Sequence, residues 1–159
     1  MSIRSTAKAL IINDGRILLN RCHDNNNGDY YSLPGGGQIK YETISDAVIR
    51  ECKEETGYDV KPLRFVALCE EICLDEHFRE KYPDYVHKMY HIFLCELSGS
   101  IAKTPTEKDS MQISCDWIDI ECLSNIRLLP NLVGKHIPDV LLGDAPIFLG
   151  SECIQFNHG

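Results

Sequence analysis

Apolar residues in this chain fall into short runs set apart by polar or glycine-rich punctuation. Ala7 to Ile12 and Ile17 to Arg21 are separated by Asn13, Asp14 and Gly15, which predicts a β-hairpin closed at Asp-Gly. The stretch HDNNNGD, His23 to Asp29, has nothing to bury and predicts a mobile loop, either beside a substrate or a plain connector. Pro34 and then Gly35, Gly36 and Gly37 cannot be helical, and the glycines permit close backbone approach. Leu63 to Cys69 reads as a strand. His87 to Leu97 alternates as a second, with His87, Met89, His91, Phe93 and Cys95 on one face, and Ile113 to Ile120 around Trp117 reads as a third. The charged, aromatic segment from Glu70 to Val86 either extends strands or caps a pocket. Ser98 to Asp109 is a polar connection, and Asn131 to Leu142 predicts a short helix interrupted or restarted near Pro138. No repeat or boundary divides the chain, so a single domain over 1–159 is expected.

One segment breaks its own pattern. Thr43 to Thr56 has helical periodicity, a start signal in Thr43 with Asp46 three residues on, and a stop in Gly57. Its apolar stripe of Ile44, Ala47 and Val48 runs on into Glu51, Glu54 and Glu55, while Asp46, Ile49 and Lys53 fall on the far side. A solvated face would carry its acids opposite the apolar positions. Desolvated carboxylates side by side repel, and each unpaired one costs several kcal/mol by order of magnitude. Arg50 can pair with one neighbour but cannot balance the group, whereas a divalent cation with oxygen preference, Mg²⁺ or Mn²⁺, can.

Charge narrows the partners. A net charge of −8 over 159 residues repels phosphate backbones, so counterion-driven, non-specific nucleic-acid binding is not expected. An anionic small molecule would need metal ions or local basic residues. No apolar run has the length of a bilayer span, and no signal peptide is recognisable at residues 1–12, so a cytoplasmic location is expected. The eight cysteines, without tight pairing or a CxxC, read as reduced, buried thiols. Cys69 and Cys73 with His87 and His91 make a zinc set only on paper.

Gly36, five residues, Glu42, seven residues, then Arg50, Glu51, Cys52, Lys53, Glu54, Glu55, Thr56, Gly57 and Tyr58 resemble the Nudix box, GX5EX7REUXEEXGU with U a bulky apolar residue. Every fixed position is filled. Cys52 is a small occupant of its U position, Tyr58 a polar-tipped one, and Tyr41 stands where many members have glycine. The flanking hairpin, the Tyr31 to Gly36 approach and the Trp117 strand are also similar to that family.

The resemblance implies an α/β fold, a Nudix-type α/β/α sandwich around a mixed β-sheet. It implies metal-dependent hydrolysis of a pyrophosphate bond in a nucleoside diphosphate linked to another moiety, with water attacking phosphorus. Glu51, Glu54, Glu55 and the carbonyl of Gly36 would hold Mg²⁺ (or Mn²⁺), Glu51 or Glu54 would take the proton from water, Arg50 would orient a glutamate, and Glu42 would support the loop. Glu107 and Asp109 are further candidates for the base. Nucleoside triphosphates, nucleotide sugars and ADP-ribose are all open as substrates, since Ile72 to Glu76 offers neither the proline nor the tyrosine that marks some subfamilies. Alternatives are an RNA 5′-end pyrophosphohydrolase and a nucleotide-sensing module without turnover. Tyr30, Tyr31, Phe78, Tyr82 and Tyr85 are candidates for stacking on a base. Leu128, Leu129, Leu132 and Val133 serve either a homodimer contact or a core helix.

Overall fold

The structure is a computed structural model that describes residues 2–99, 103–107 and 110–159. Strands β1 (Arg4–Asn13) and β2 (Arg16–Asp24) form the expected hairpin, with Asp14 and Gly15 both at positive φ in the turn. β2 pairs with β3 (Gly28–Ser32), so the polar stretch from His23 is a second tight hairpin and not the expected mobile loop. The reason is local: Asp24 Oδ1 accepts the N–H groups of Asn26 and Asn27 at 2.9 and 2.7 Å, closing the turn.

Gly35–Gly37 form a short strand, β4, antiparallel to β1, and helix α1 spans Ile44–Thr56. Next come β5 (Val60–Cys73), a short helix α2 (Glu76–Lys81) and β6 (His87–Leu97). The segment after Glu70 therefore lengthens β5, the first of the two expected alternatives, and then folds into α2 and a 3-10 turn that carries Tyr85. β7 (Gln112–Asp119) pairs with β2, and β8 (Leu128–Leu129) with β3. Helix α3 (Asn131–Leu142) is followed by β9 (Ile147–Ile154), which the sequence pattern did not announce and which runs parallel to β5. The strand order is β8-β3-β2-β1-β6-β5-β9, with β4 added to β1 and β7 to β2; β1 and β6 are parallel, β5 and β6 antiparallel.

Helices α1 and α3 cover opposite faces of this mixed sheet. Ala7, Ala9 and Ile11 of β1 pack with Ala47, Val48 and Cys52 of α1, all fully buried. Leu10, Ile17, Tyr90 and Ile92 point the other way, against Val133, Ile137 and Val140 of α3. Burying a side chain such as Val48 contributes about 1.5–3 kcal/mol. Helix α3 passes through Pro138 without the interruption expected there. Its buried face of Val133, Ile137 and Val140 continues across the proline, so core packing outweighs the lost backbone bond. Of the four apolar residues considered for a dimer contact or a core helix, Val133 is buried on α3, and Leu128 and Leu129 are buried on β8.

None of the eight cysteines is in a disulfide, but Cys122 and Cys153 are exposed rather than buried. Cys122 lies in a surface 3-10 turn, and Cys153 on β9 at the edge of the sheet. The paper zinc set is broken by the pleat. His87 and His91 pair in register with Ile72 and Leu68, whereas Cys69 pairs with Tyr90, so the histidines and Cys69 alternate to opposite faces. Among the described residues no helix is long and apolar enough to cross a membrane.

Candidate functional site

The site grows from a contact between β4 and α1. Gly35 has φ +131°, and a Cβ there would lie 2.0 Å from the Ala7 carbonyl oxygen, so only glycine lets β4 press against β1. A Cβ at Gly36 would lie 2.5 Å from Glu51 Oε2. The missing side chain is the space in which the Glu51 carboxylate sits against the backbone.

Helix α1 is aimed by its caps. Thr43 Oγ1 accepts the Asp46 N–H at 3.1 Å, and Gly57 ends the helix at φ 77°. Only half of the expected reciprocal box forms: the Thr43 hydroxyl donates to the Asp46 carboxylate at 2.7 Å. In the preceding loop Glu42 Oε1 accepts the Ile39 N–H at 2.8 Å.

Arg50 ties loop and helix together. Its Nε and Nη2 donate to the two Glu42 oxygens at 3.1 and 2.6 Å, its Nη1 to Glu51 Oε1 at 2.8 Å and Glu54 Oε2 at 3.2 Å, and its Nη2 to the Gly37 carbonyl at 3.0 Å. The Arg50 hydrogen bonds hold the Glu42 carboxyl below its ordinary value, and Glu42 in turn raises the pKa of Arg50. The guanidinium thus orients three glutamates, where the sequence predicted one, and Glu42 is its bidentate partner.

Glu55 lies deeper. Its Oε2 accepts Asn20 Nδ2 and the Gly35 N–H, each at 2.9 Å. Burial pushes its carboxyl above the ordinary value, Lys8, Gly35 and Asn20 oppose the shift, and Glu51 adds to it. Lys8 Nζ, also buried, donates to the carbonyls of Leu33 and Gly35 at 3.2 and 2.6 Å.

Lys8, Gly35–Gly37, Glu51, Glu54 and Glu55 line one cleft of ≈ 460 Å³. Glu51, Glu54, Glu55 and Glu107 make one pole, with Gly35–Gly37 beside them. Glu107 comes there because its N–H donates to the Glu54 carbonyl at 2.9 Å; Asp109 lies outside the described residues. Of the aromatic candidates Tyr85 reaches the cleft, while Phe78 and Tyr82 pack on each other and Tyr30 is buried. The opposite pole was missed in the sequence: Arg4, Thr6 and Lys8 from alternating positions of β1, Lys88 and Tyr90 from β6, and the terminal Asn157, His158 and Gly159. The spacing of Arg4, Thr6 and Lys8 was the available signal, three polar residues on one face of an otherwise apolar strand.

Among the described residues no three His, Cys, Asp or Glu side chains are already drawn together at metal-ligating distances; Glu51 and Glu54 are turned to Arg50 instead. The donor set nevertheless fits a hard divalent cation. It is made only of oxygens, and one guanidinium in direct contact faces Glu42, Glu51 and Glu54 with buried Glu55 behind them.

The family profile described as the NUDIX domain matches residues 3–138. The chain belongs to the Nudix family. YjhB of Bacillus subtilis (strain 168), provisionally named an ADP-ribose pyrophosphatase, is 30% identical over 106 residues, 65% of this chain and 46% of that protein. The NAD-capped RNA hydrolase NudC of Photorhabdus laumondii is 28% identical over 130 residues, 81% of this chain and 44% of that one. The chain thus spans less than half the length of these relatives. A solved NUDIX hydrolase from Nitrosomonas europaea superposes with a TM-score of 0.71 at 19% identity, covering 91% of this chain and 93% of its own, which supports the same fold. Two departures from the box have a structural explanation in this Nudix domain. Cys52 is fully buried in the α1 core, and the Tyr58 hydroxyl accepts Trp117 Nε1–H at 3.2 Å, its ring set edge-to-face on the indole.

Proposed function

We propose that this chain is a pyrophosphohydrolase that uses Mg²⁺, or Mn²⁺ in its place, to cleave a nucleoside diphosphate linked to another moiety. The observation that carries this is the row of inward acids, Glu51, Glu54 and Glu55, in one cleft with Gly36 and Glu107. Glu51, Glu54, Glu55 and the Gly36 carbonyl would hold the cation. When bound, it supplies charge neutralisation of the anhydride oxygens and a lowered pKa for water.

The chain's own groups do the remainder. Arg50 fixes one oxygen of Glu51 and one of Glu54, leaving Glu51 Oε2 and Glu54 Oε1 to act. Glu54 is the more exposed of the two, 28% against 15%, and we assign it the general base. Its carboxylate accepts the proton as water attacks phosphorus; the anhydride P–O bond breaks and its electron pair leaves on the bridging oxygen. Glu42 acts through Arg50 and is a positioning residue. A phosphoryl or nucleotidyl group transfers to water within a single domain, with a small nucleotide-type molecule as substrate. The names of the relatives extend from ADP-ribose to NAD-capped RNA, and a net charge of −8 favours the small molecules.

The test is product formation with added Mg²⁺ or Mn²⁺ and Glu54→Gln run alongside: phosphate or pyrophosphate from nucleoside triphosphates, and a nucleoside monophosphate with a sugar phosphate from nucleotide sugars and ADP-ribose. Metal-dependent turnover of one class, lost in the variant, is the expected result. Absence of turnover on every compound, with folded protein that binds nucleotide tightly, would transfer the assignment to a sensing module.

A further inference from the structure

The pole of the cleft away from the acidic helix carries a like-charge pair. In the parallel register of β1 and β6, Arg4 stands opposite Lys88, and both face the cleft. Like charges at directly paired positions of a sheet destabilise it. The partners of these cations are neutral: the Arg4 guanidinium lies 4.4 Å from the centroid of the Tyr85 ring, and Lys88 Nζ donates to Asn157 Oδ1 at 2.7 Å and the His158 carbonyl at 3.0 Å. Glu71, next in the same row of the sheet, is committed to His158 Nε2 at 2.7 Å and the Tyr90 hydroxyl at 3.1 Å. Burial, and then Lys8 and Arg4, push the Lys88 ammonium down to about 8 against the pull of Glu71.

Thr6 is a second, independent observation. It sits two residues from Arg4 on the same face of β1, lines the cleft at 4% exposure, and its hydroxyl has no hydrogen-bond partner. Buried hydroxyls are nearly always paired, and an orphan inside a cleft points to a ligand that pairs it. Beside it Gly37 has no side chain where a Cβ would lie 2.2 Å from Arg4 Nη2, so the guanidinium can lie over β4.

We propose that Arg4, Thr6 and Lys88 form an oxyanion subsite, independent of metal, that takes a phosphate of the substrate other than the one attacked at the acidic helix. A tetrahedral oxyanion accepts N–H groups from guanidinium and ammonium and the O–H of Thr6 at once, ending both the repulsion and the unpaired hydroxyl. The substrate then spans the cleft with two anionic groups, one for each pole. Calling this oxyanion a substrate phosphate rests on the pyrophosphohydrolase reading; the oxyanion site itself does not.

The test is titration of metal-stripped protein with inorganic phosphate, adenosine 5′-monophosphate and adenosine, followed by amide NMR shifts and calorimetry. Phosphate and the monophosphate bind and adenosine does not; Thr6→Val and Arg4→Met each weaken phosphate binding about tenfold. Thr6→Val keeps the side-chain shape and removes only the orphan hydroxyl, so its thermal midpoint does not fall, which separates loss of binding from loss of fold. Equal phosphate affinity in wild type and both variants overturns the subsite, as does no binding by wild type or binding of adenosine as tight as that of its monophosphate. Metal-dependent turnover is measured separately: turnover with variant-insensitive phosphate binding sinks the subsite alone, whereas variant-sensitive binding without turnover sinks the hydrolase assignment and leaves the oxyanion site standing.

Discussion

Glu42 and Arg50 meet as fork on fork, with Nε and Nη2 of the guanidinium on the two carboxylate oxygens at 3.1 and 2.6 Å. That geometry leaves Nη1 for Glu51 and Glu54, so the loop before α1 decides where the cleft acids stand. Lysine carries the charge but cannot make these bonds together. Arg50→Lys is therefore expected to lower kcat and Mg²⁺ affinity about 10–100-fold, the range for residues that orient metal ligands. Steady-state kinetics and calorimetric Mg²⁺ titration check both; wild-type values for each would show that the clamp does not set the acids.

Gly35 and Gly36 should separate stability from activity. At Gly35 an added methyl strikes the Ala7 carbonyl, and the backbone has positive φ, so Gly35→Ala is expected to destabilise the fold by about 1–3 kcal/mol or more. At Gly36 the methyl meets only the end of a flexible glutamate, 2.5 Å from Glu51 Oε2. Gly36→Ala should fold near normally and lose about 100-fold in kcat, as a 1 Å displacement of a reacting group does. Urea denaturation beside kinetics distinguishes the two variants.

Tyr41 stands at φ 78° with its side chain 94% exposed. The left-handed region costs a residue with a Cβ about 1–2 kcal/mol, and little burial offsets it here. Tyr41→Gly is expected to raise stability by up to about 1 kcal/mol once the extra chain entropy of glycine is subtracted, measured as a higher urea midpoint at constant m-value. A lower midpoint would mean that Lys40, 5.1 Å from the Tyr41 ring centroid, contributes more than the strain removes.

Apart from Glu107, the acidic pole was legible in the sequence because its members lie within one helix and its leading loop. Glu51, Glu54 and Glu55 are brought together by 3.6-residue periodicity, and Gly36, Glu42 and Arg50 by a short connection. The other pole depends on register between strands remote in the chain: Arg4 meets Lys88 only when β1 and β6 pair in parallel. His158 likewise reaches Glu71 only after β9 has paired with β5 and carried the chain end back over the sheet. Such pairings have no local signature. The same holds for β3 and β4, whose glycines and polar turns read as loop and become strand because β2 and β1 offer edges. Pro138 does not interrupt α3 for a similar reason, since packing of α3 on the sheet outweighs local preference.

Lys88 should leave a mark on the pH dependence of stability. Burial is the main cause of its lowered pKa, about 8 against 10.5 for the free side chain, and the groups acting on it are Glu71 in one sense and Lys8 and Arg4 in the other; Asn157 and His158 hold its Nζ. Between these two values the unfolded chain binds more protons than the folded one, so this group makes stability rise as pH goes from about 8 to about 10.5. Below 8 both states carry the proton and the contribution is flat, at its least favourable. Lys88→Met removes the titrating group, and its stability relative to wild type should be highest near pH 7 and fall through that window. Urea midpoints across pH 7 to 10.5 measure the difference; parallel profiles for the two proteins would mean that Lys88 keeps its ordinary affinity for the proton in the fold.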